Sequence, residues 1–545
     1  MARAKKERAK YVAVIESLDQ EGRGVARRDG KVVFIEGALP GEKVEYEVYR
    51  SKPSFELGLT TEIYKESPLR VLPKCPHFGV KDGSCGGCAM QHLEAHAQVA
   101  MKQKVLMDAL WHIGRVRPEQ VLAPIYGSAW RYRHRARLSV REVAKKGTVL
   151  VGFHEKRSSF IADMKSCEIL PKRVSDLLVP LRELINSLSL RKKLPQIELA
   201  VTDEALALVL RVLEKLTADD EAKLRQFQKD YGVDFWYQPK GPDSIYPMDP
   251  ENATRLKLHH RETGVEVVFR PTDFTQVNHR LNEVMVTRVL RLLHLEPSSK
   301  VIDFFCGLGN FTLPLATRSA KVLGIEGSTE LVDRARAGAK DNNLADKTEF
   351  EARNLFDWTL DDWDAVWNKL GGVDRVLIDP PREGAMALCR SLADTDKRPA
   401  RLVYVSCNPA TLARDAALLV REGGWKLLSA GVMNMFPHTA HVESIAVFEP
   451  GPKPEKIDEI DSGLCFGNSL ESSRPLVSRS EIADGDWMET AWLLRYELPD
   501  AFEEVLMILR DRAQKRIEQA AELALAAALA SPDRAELGDD EESAI

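Results

Sequence analysis

Two side chains with reactive or acidic groups come directly after predicted strands in the second half of the chain. Cys407 follows the apolar run Leu402–Val405, and Asp379 follows a run that begins at Val376. Open α/β sheets present their ligands at the carboxyl ends of their strands. A thiol at such a place, beside a helix N-terminus, can have a lowered pKa and act as a nucleophile. Taken alone, a single cysteine is more often a small core residue.

The acidic residues have two interpretations each. Glu443 stands at the start of the last predicted strand, near His438 and His441, where it could act as a general base. The alternative for Glu443 is an exposed loop acid. Asp379 precedes a double proline that fixes the turn, and its alternative is an aspartate that caps the next helix.

A glycine turn joins a strand to a helix in VIDFFCGLGNFTLPLA, residues 301–316. Gly307 and Gly309 permit a tight turn and a close approach of a ligand. The next strand ends at Glu326, whose carboxylate could accept hydrogen bonds from both hydroxyls of a ribose. A third strand leads to Asn354, in a position that suits an adenine edge. This pattern fits NAD or S-adenosylmethionine (SAM), and the D-x-F-x-G-x-G spacing favours SAM.

Four cysteines in the first third of the chain predict a metal centre. Cys75, Cys85 and Cys88 form a C-x9-C-x2-C pattern, and Cys167 follows in MKSCEIL. Four thiolates can hold tetrahedral zinc or an iron–sulfur cluster. Neighbouring glycines let the backbone wrap closely around such a centre. The spacing alone favours zinc.

The hydrophobic pattern divides the chain into four predicted parts. Residues 1–66 contain short strands between turn residues and predict an OB-type β-barrel. Residues 67–265 contain the four cysteines and an α+β region. Residues 266–450 alternate strands with helices and predict a doubly wound, Rossmann-like parallel sheet. Residues 451–545 form an acidic extension of unknown role, with a predicted helix over Ala501–Ala530 and a disordered end.

The charge is unevenly distributed. Residues 451–545 carry 10 Lys+Arg and 22 Asp+Glu, whereas residues 1–450 carry 67 and 60, so a basic body precedes an acidic tail. The basic body permits a polyanionic partner. In WRYRHRARLSV, residues 130–140, every second position is arginine, so a strand there would present four guanidinium groups on one face. RNA binding and a solvated edge strand both explain this face. Its members are Arg131, Arg133, Arg135 and Arg137.

The composition is that of a globular protein, with 44% hydrophobic and 29% charged residues. No apolar run reaches the roughly 18 residues of a transmembrane helix, so we expect no membrane association. The start MARAKKERAK has no apolar core of a secretory signal, and we expect a cytoplasmic protein. Eight cysteines in so long a chain do not indicate a disulfide scaffold.

Together these motifs resemble the uracil-5-methyltransferases of structured RNA, the TrmA/RlmD group. The matching segments occur in order over residues 266–449: FTQVN, DFFCGLGNFTLPLA, DPPREGA, VSCNPATLARD and MFPHTAHVES. Residues 22–26 and the run FIEGALPGE resemble the TRAM domain of RNA-modifying enzymes. A TRAM domain with four such cysteines resembles the branch that acts on large-subunit (23S) ribosomal RNA. The resemblance covers about residues 10–450.

The resemblance implies a class I SAM-dependent methyltransferase domain and a role for each motif residue. Cys407 would be the nucleophile and Glu443 the general base. The implied SAM-binding residues are Gln276, Phe305, Asn310, Glu326, Asn354 and Asp379. The cysteines Cys75, Cys85, Cys88 and Cys167 would hold a 4Fe–4S cluster, which replaces the zinc that spacing favours. The expected partners are 23S ribosomal RNA and SAM, and we expect a monomer.

Other functions stay open from the sequence. The same chemistry could act on a uridine in tRNA or elsewhere in ribosomal RNA. A non-catalytic RNA-binding protein would use only the barrel and the arginine face. An NAD oxidoreductase would use the glycine turn, but the D-P-P and S-C-N-P corners do not suit it. The acidic extension is an inert segment, a shield against non-specific RNA, or a docking segment.

Overall fold

The computed structural model describes residues 9–251 and 253–453. The chain separates into two compact units, Met1–Glu455 and Lys456–Ile545, and all described residues belong to the first. The predicted helix over Ala501–Ala530 and the predicted disordered end therefore lie outside the described residues. Across the described ranges, none of the helices combines the length and apolarity that crossing a bilayer requires.

The N-terminal strands form one six-stranded sheet in the order β1-β5-β6-β4-β3-β2. They are β1 (Lys10–Val14), β2 (Ser17–Leu18), β3 (Gly24–Arg28), β4 (Lys31–Glu36), β5 (Lys43–Ser51) and β6 (Phe55–Lys65). Alternate residues such as Val33, Ile35, Val44 and Tyr46 point into a common core. Strand β3 is not predicted from the sequence, because the glycines before it indicate only a turn.

The next helix and strand pack on the large C-terminal sheet, although they fall in the predicted middle part. They are α1 (Ala95–His112) and β7 (Gln120–Val121). Val99, Leu106 and Leu110 of α1 join the core beneath the large C-terminal sheet. The predicted domain boundary at residue 265 therefore does not separate two independently packed regions.

The middle region is a six-stranded mixed sheet in the order β13-β12-β11-β10-β8-β9, followed by a separate hairpin of β14 and β15. Its elements are β8 (Arg135–Val143), β9 (Thr148–Gly152), α2 (Lys172–Ser175), α3 (Leu178–Ser187), β10 (Gln196–Val201), β11 (Leu206–Arg211), α4 (Ala218–Tyr231), β12 (Asp234–Gln238), β13 (Tyr246–Pro247), β14 (Leu256–His260) and β15 (Val265–Phe269). Leucine-rich faces of α3, β10 and β11 form one core with the Cys167 segment.

The C-terminal region is an eight-stranded sheet in the order β18-β17-β16-β19-β20-β22-β21-β7. Its elements are α5 (His279–Leu292), β16 (Lys300–Phe304), α6 (Thr312–Ala316), β17 (Lys321–Glu326), α7 (Thr329–Asp341), β18 (Thr348–Ala352), α8 (Leu360–Leu370), β19 (Arg375–Ile378), α9 (Met386–Asp394), β20 (Arg401–Ser406), α10 (Pro409–Ala417), β21 (Trp425–Met433) and β22 (Glu443–Pro450). Strands β16 to β20 run parallel, and β22 inserts antiparallel between β20 and β21. The strand order reverses between β16 and β19, which places a crevice at their carboxyl ends.

The arginine-rich segment does not form the exposed strand face that its spacing predicts. Strand β8 begins only at Arg135, which is largely withdrawn from solvent. Arg131 has a positive φ of 59° and its guanidinium pairs with Glu168 at 2.8 Å. Arg137 pairs with Glu198 at 2.6 Å. The prediction of four guanidinium groups on one free face is wrong, because the segment turns before the strand and its arginines bind protein acceptors.

Candidate active site

The parallel strands bring the predicted site residues to one edge of the sheet. Phe304 of β16 pairs with Ile325 of β17 and with Ile378 of β19, so these three strands end at the same level. Glu326 ends β17, and Asp379 follows β19 directly. The carboxyl edge of the sheet thus forms the base of a single crevice, as the sequence predicts.

The antiparallel pairing of β20 with β22 places Glu443 beside Cys407. Ser406 pairs with Ser444, and the Ser444 hydroxyl donates to the carbonyl of Ser406 at 3.1 Å. Cys407 and Glu443 are the next residues at this end of the two strands. Glu443 is 5% exposed, so the alternative of an exposed loop acid is wrong. The thiol is half-buried and adjacent to a buried carboxyl group.

The surroundings raise, rather than lower, the pKa of the Cys407 thiol. Burial is the main cause of its pKa of about 11, and the carboxylates of Glu443 and Asp379 add to it. The Arg382 guanidinium acts in the opposite direction. The helix N-terminus after Asn408 indicated a lowered pKa, and that expectation is wrong because burial, and then the two acids that share the site, raise the pKa of the thiol. Activation of the thiol in this structure requires loss of negative charge around it.

Burial also raises the pKa of both carboxyl groups. The pKa of Glu443 rises to about 8, mainly through burial and then through Asp379, while Lys102 and Arg382 oppose the rise. Burial alone raises the pKa of Asp379 to about 7. Helix α9 begins after Ala385 and has no side-chain cap, so Asp379 does not cap it. Acids with pKa values near neutrality are suited to proton transfer.

Arg382 is a site residue that the sequence analysis did not single out. Its guanidinium donates to Nδ1 of His441 at 2.8 Å, in the loop before Glu443. Its carbonyl accepts from Nδ2 of Asn408, next to Cys407, at 3.0 Å. The arginine of DPPREGA therefore links the two strand ends that carry the nucleophile and the acid. Its position directly after the double proline was the sequence feature that could have identified Arg382.

An open cleft of about 640 Å³ leads to Cys407 from the N-terminal half of the chain. The β1–β6 sheet contributes Gln20 and Glu21, the cysteine loop contributes Gly86–Ala89, and Arg133 lines it from the arginine-rich segment. A cleft of this size admits a nucleotide with its flanking backbone. All three N-terminal regions thus border the approach to the thiol.

Three carboxyl groups surround the glycine turn after β16. Asp303 is fully buried, and its pKa rises to about 8 through burial and through the charges of Asp379 and Glu326. One of its oxygens accepts from the Thr312 hydroxyl at 2.5 Å, and the other has no hydrogen-bond partner. A cationic ligand would relieve this repulsion, whereas a pyrophosphate would increase it. The crevice therefore suits a sulfonium compound such as SAM better than NAD.

Glu326 and Phe305 are held by backbone contacts of the turn. The two carboxylate oxygens of Glu326 accept from the amides of Gly307 and Ser328, each at 3.1 Å. Phe305 has a positive φ of 65°, and its ring meets Phe356 edge-on at 5.9 Å. The backbone conformation thus turns the Phe305 side chain toward the segment after β18.

The remaining predicted cofactor residues differ in their surroundings. The Asn354 amide donates to Asp357 at 2.5 Å and its oxygen caps a turn after β18. The amide of Asn310 exchanges two hydrogen bonds with Asn282 of α5, at 2.9 and 3.0 Å. Gln276 is half-buried in the connection from β15 to α5. Asn310 is therefore tied to α5 in this structure.

The four predicted metal-binding cysteines line one small cavity of about 20 Å³. The main-chain amides of two of them are held by side chains, Cys75 by Gln91 at 3.2 Å and Cys167 by Ser175 at 2.9 Å. In the described part of the chain, no group of three or more His, Cys, Asp or Glu side chains is arranged to hold a metal ion. The thiols thus converge without forming a compact ligand set. The cavity members are Cys75, Cys85, Cys88 and Cys167.

Comparison with known sequences agrees with these motifs. The profile of the tRNA (Uracil-5-)-methyltransferase family matches residues 95–449, and the TRAM domain profile matches residues 4–57. A protein of Cupriavidus pinatubonensis, the 23S rRNA (uracil(1939)-C(5))-methyltransferase RlmD, is 57% identical over 452 residues, which are 80% of this chain and 95% of the relative. This chain belongs to the uracil-5-methyltransferase family. The resemblance stated from the motifs is therefore confirmed.

Further relatives and a solved structure extend the comparison within the uracil-5-methyltransferase family. RlmD of Bordetella bronchiseptica is 56% identical, covering 80% of this chain and 92% of its own length. The crystal structure of Pyrococcus abyssi tRNA (uracil-54, C5)-methyltransferase with S-adenosyl-L-homocysteine matches with a TM-score of 0.60 and 24% identity, over 80% of this chain and all of that one. The predicted class I methyltransferase fold with an N-terminal TRAM domain is thus confirmed.

Proposed function

We propose that this protein transfers the methyl group of SAM to C5 of a uridine in large-subunit ribosomal RNA, the type of site at position 1939 that names its relatives. The observation that carries the proposal is the pairing of Cys407 and Glu443 at adjacent strand ends above a SAM-type glycine turn. The same chemistry on tRNA is a second candidate, since the matching family profile carries that name. Mass mapping of 5-methyluridine in RNA of a deletion strain separates the two substrates. Loss from 23S rRNA alone supports the first.

Cys407 would start the reaction, because uracil C5 is too weak a nucleophile to take a methyl group directly. The Cys407 thiolate adds to C6, and the electron pair of the C5–C6 double bond moves so that C5 becomes enolate-like. C5 then bonds to the methyl carbon, while the electrons of the methyl–sulfur bond stay on sulfur and give S-adenosylhomocysteine. Asp379 would orient the base for this in-line transfer.

Glu443 would end the reaction as a general base. Its carboxylate takes the proton from C5, directly or through a water that it positions. The C5–H electron pair re-forms the C5–C6 double bond, and the bond between C6 and the Cys407 sulfur breaks to return the thiolate. Glu443 must be ionised at this step, whereas protonated Glu443 and Asp379 favour formation of the Cys407 thiolate at the first step. The pKa values of about 7 for Asp379 and about 8 for Glu443 permit both charge states.

SAM would bind at the glycine turn with its positive charge near Asp303, Glu326 and Asp379. A cationic cosubstrate is supported by the effect of burial, and then of the Asp379 and Glu326 charges, in raising the pKa of Asp303. Glu326 would accept the ribose hydroxyls. Phe305, Asn354 and Gln276 would contact the cosubstrate as the family resemblance implies. Asn310 has the weakest support, because Asn282 already holds both ends of its amide.

Glu326→Gln should weaken SAM binding by about 10- to 100-fold, the scale of one charge-assisted hydrogen bond. The neutral amide replaces an acceptor oxygen and reduces the negative potential at the turn. Isothermal titration with S-adenosylhomocysteine measures the effect without catalysis. Glu330→Gln is the matched control, because Glu330 is exposed and pairs with Arg270 on the nearby helix α7. Equal affinity of the two variants would contradict the assignment.

Cys75, Cys85, Cys88 and Cys167 would hold a 4Fe–4S cluster. Their convergence on one cavity supports this, as does their mutual electrostatic repulsion, which raises the pKa values of Cys88 and Cys167 further after burial has raised them. A bound cluster would supply a rigid, positively charged core that neutralises these thiolates. The cysteines would then anchor the loop Gly86–Ala89, which borders the cleft.

An anaerobic preparation should absorb near about 400 nm, as iron–thiolate centres do, and should contain about four iron atoms per chain. Cys85→Ala should lose this absorption, since one ligand is removed. Cys389→Ala is the matched control, because Cys389 is a buried thiol of helix α9. A colourless protein with stoichiometric zinc would contradict the cluster and restore the interpretation that the spacing favours.

The proposed domain organisation follows the predicted four parts with one change. The four parts keep their predicted bounds, residues 1–66, 67–265, 266–450 and 451–545. Helix α1 and strand β7, however, pack with the catalytic sheet. The family profile also begins at residue 95. We also propose a cytoplasmic monomer, since its substrate RNA is assembled there and the cleft is lined within one chain.

A further inference from the structure

Lys102 is a buried amine that none of the motifs includes, and burial lowers its pKa to about 7. It lies on α1, and the whole residue is 0% exposed. Its ammonium donates to the Asn434 side-chain oxygen and to the Phe436 carbonyl, both at 2.8 Å. Both acceptors are neutral. A buried ammonium is costly unless a negative charge compensates it.

Glu443 is the acidic group whose charge acts on Lys102. Met433, at the end of β21, pairs with Glu443 at the start of β22, and Asn434 is the next residue of the chain. Lys102 therefore holds the turn directly beside the acid. The electrostatic interaction between Lys102 and Glu443 raises the pKa of the first and lowers the pKa of the second, against the larger opposing effects of burial.

The other charged groups near Glu443 cannot replace Lys102. Asp379, after β19, has the same sign as Glu443 and raises its pKa. The Cys407 thiolate, once formed, would do the same. Arg382 is exposed, so solvent screens its charge, whereas Lys102 is shielded. His438 and His441 face Lys102 from the loop, and burial lowers the pKa of each, so that both are neutral near pH 7.

We propose that Lys102 is a positioning residue that favours the ionised form of Glu443 and holds this residue in place for removal of the C5 proton. The proposal rests on the proposed function, because it assigns to Lys102 a part in the last step of that mechanism. In that step the C5–H bond breaks, the proton passes to the Glu443 carboxylate, and the released electron pair expels the Cys407 sulfur. Lys102 does not touch the substrate. It acts on the acceptor of the proton.

Lys102→Gln and Lys102→Met separate charge from contact. Glutamine keeps an N–H donor for Asn434 and Phe436 but carries no charge, and methionine fills the space without a donor. Lys104→Gln is the matched control on the same helix, where Lys104 is exposed and pairs with Asp108. Thermal melting and S-adenosylhomocysteine binding establish that each variant is folded.

The measurement is the decay of the denaturant-resistant, methylated protein–RNA adduct in a single turnover on 23S rRNA from a deletion strain. Both Lys102 variants should form and methylate the adduct at rates near those of the unmodified protein. They should resolve it about tenfold more slowly at pH 7.5, and the pH midpoint of resolution should lie about one unit higher. These shifts are expected because Glu443 would then bind its proton more tightly.

Two results would overturn the proposal. One is a Lys102→Gln variant that resolves the adduct at the rate and pH midpoint of Lys104→Gln. The other is a parallel loss of adduct formation and resolution with an unchanged pH midpoint, which indicates a structural role only. Glu443→Gln, run alongside, identifies a failure of the underlying mechanism. If that variant accumulates no adduct, Glu443 is not the base, and the proposal for Lys102 is overturned with it.

Discussion

Cys407→Ala should abolish methylation, with a loss of about 10⁴-fold or more, the scale of removing a covalent nucleophile. The variant cannot add to C6, so C5 never becomes nucleophilic and no adduct forms. Binding of S-adenosylhomocysteine should persist, because the glycine turn after β16 and the acid Glu326 lie on other strands. The measurement is tritium transfer from labelled SAM to 23S rRNA, with adduct formation followed on denaturing gels.

Cys389→Ala is the control for Cys407→Ala. Cys389 is a buried thiol in the core between α9 and the sheet, so its loss tests the effect of removing a sulfur without touching the crevice. This control should retain activity within a few-fold. Turnover by Cys407→Ala, or an adduct that persists in it, would refute the nucleophile assignment. A serine at 407 should also be inactive, since its hydroxyl is far less nucleophilic than a thiolate.

Glu443→Gln should convert the enzyme into one that methylates once and stays bound to its RNA. Without the carboxylate, the C5 proton is removed slowly and the sulfur cannot leave. Resolution of the adduct should fall by about 10²- to 10⁴-fold, the usual contribution of a general base. The methyl group should be found in the trapped adduct, which mass spectrometry of the linked nucleotide measures.

The pH dependence of adduct resolution provides an internal check on Glu443. The base works when ionised, and its pKa is raised to about 8, so resolution should accelerate as the pH rises through about 8. In Glu443→Gln this dependence should disappear. Glu449→Gln is the matched control, since Glu449 lies toward the far end of the same strand and pairs with Arg401. An unaltered resolution rate in Glu443→Gln would contradict its role as the base.

Much of the crevice could be predicted because it follows from the geometry of a parallel sheet. The apolar runs before Asp379 and Cys407, and the glycines after Phe305, fix where strands end and helices begin. Central strands of a parallel sheet are buried on both faces, as β16 is from Val301 to Phe304. Side chains at their carboxyl ends must then lie close together.

The charges around the site were harder to predict, because they depend on residues far apart in sequence. Helix α1 buries the polar side chains of Gln98 and Lys102 one turn apart, which interrupts the apolar stripe that would reveal a helix. The raised pKa of Cys407 arises first from burial and then from Glu443 and Asp379 on neighbouring strands. The conformation of Arg131 could not be predicted from the sequence either, and its positive φ breaks the predicted strand.

Release of tritium from RNA labelled at uridine C5 tests the central claim most directly. The proposed mechanism breaks one C5–H bond for each methyl group transferred. Adding SAM to the protein with 5-tritiated 23S rRNA from a deletion strain should therefore release tritium to water in equal amount to methyl incorporation, and neither should occur with Cys407→Ala. Methyl incorporation without tritium release would contradict methylation at C5, and methylation with Cys407→Ala would contradict the covalent mechanism.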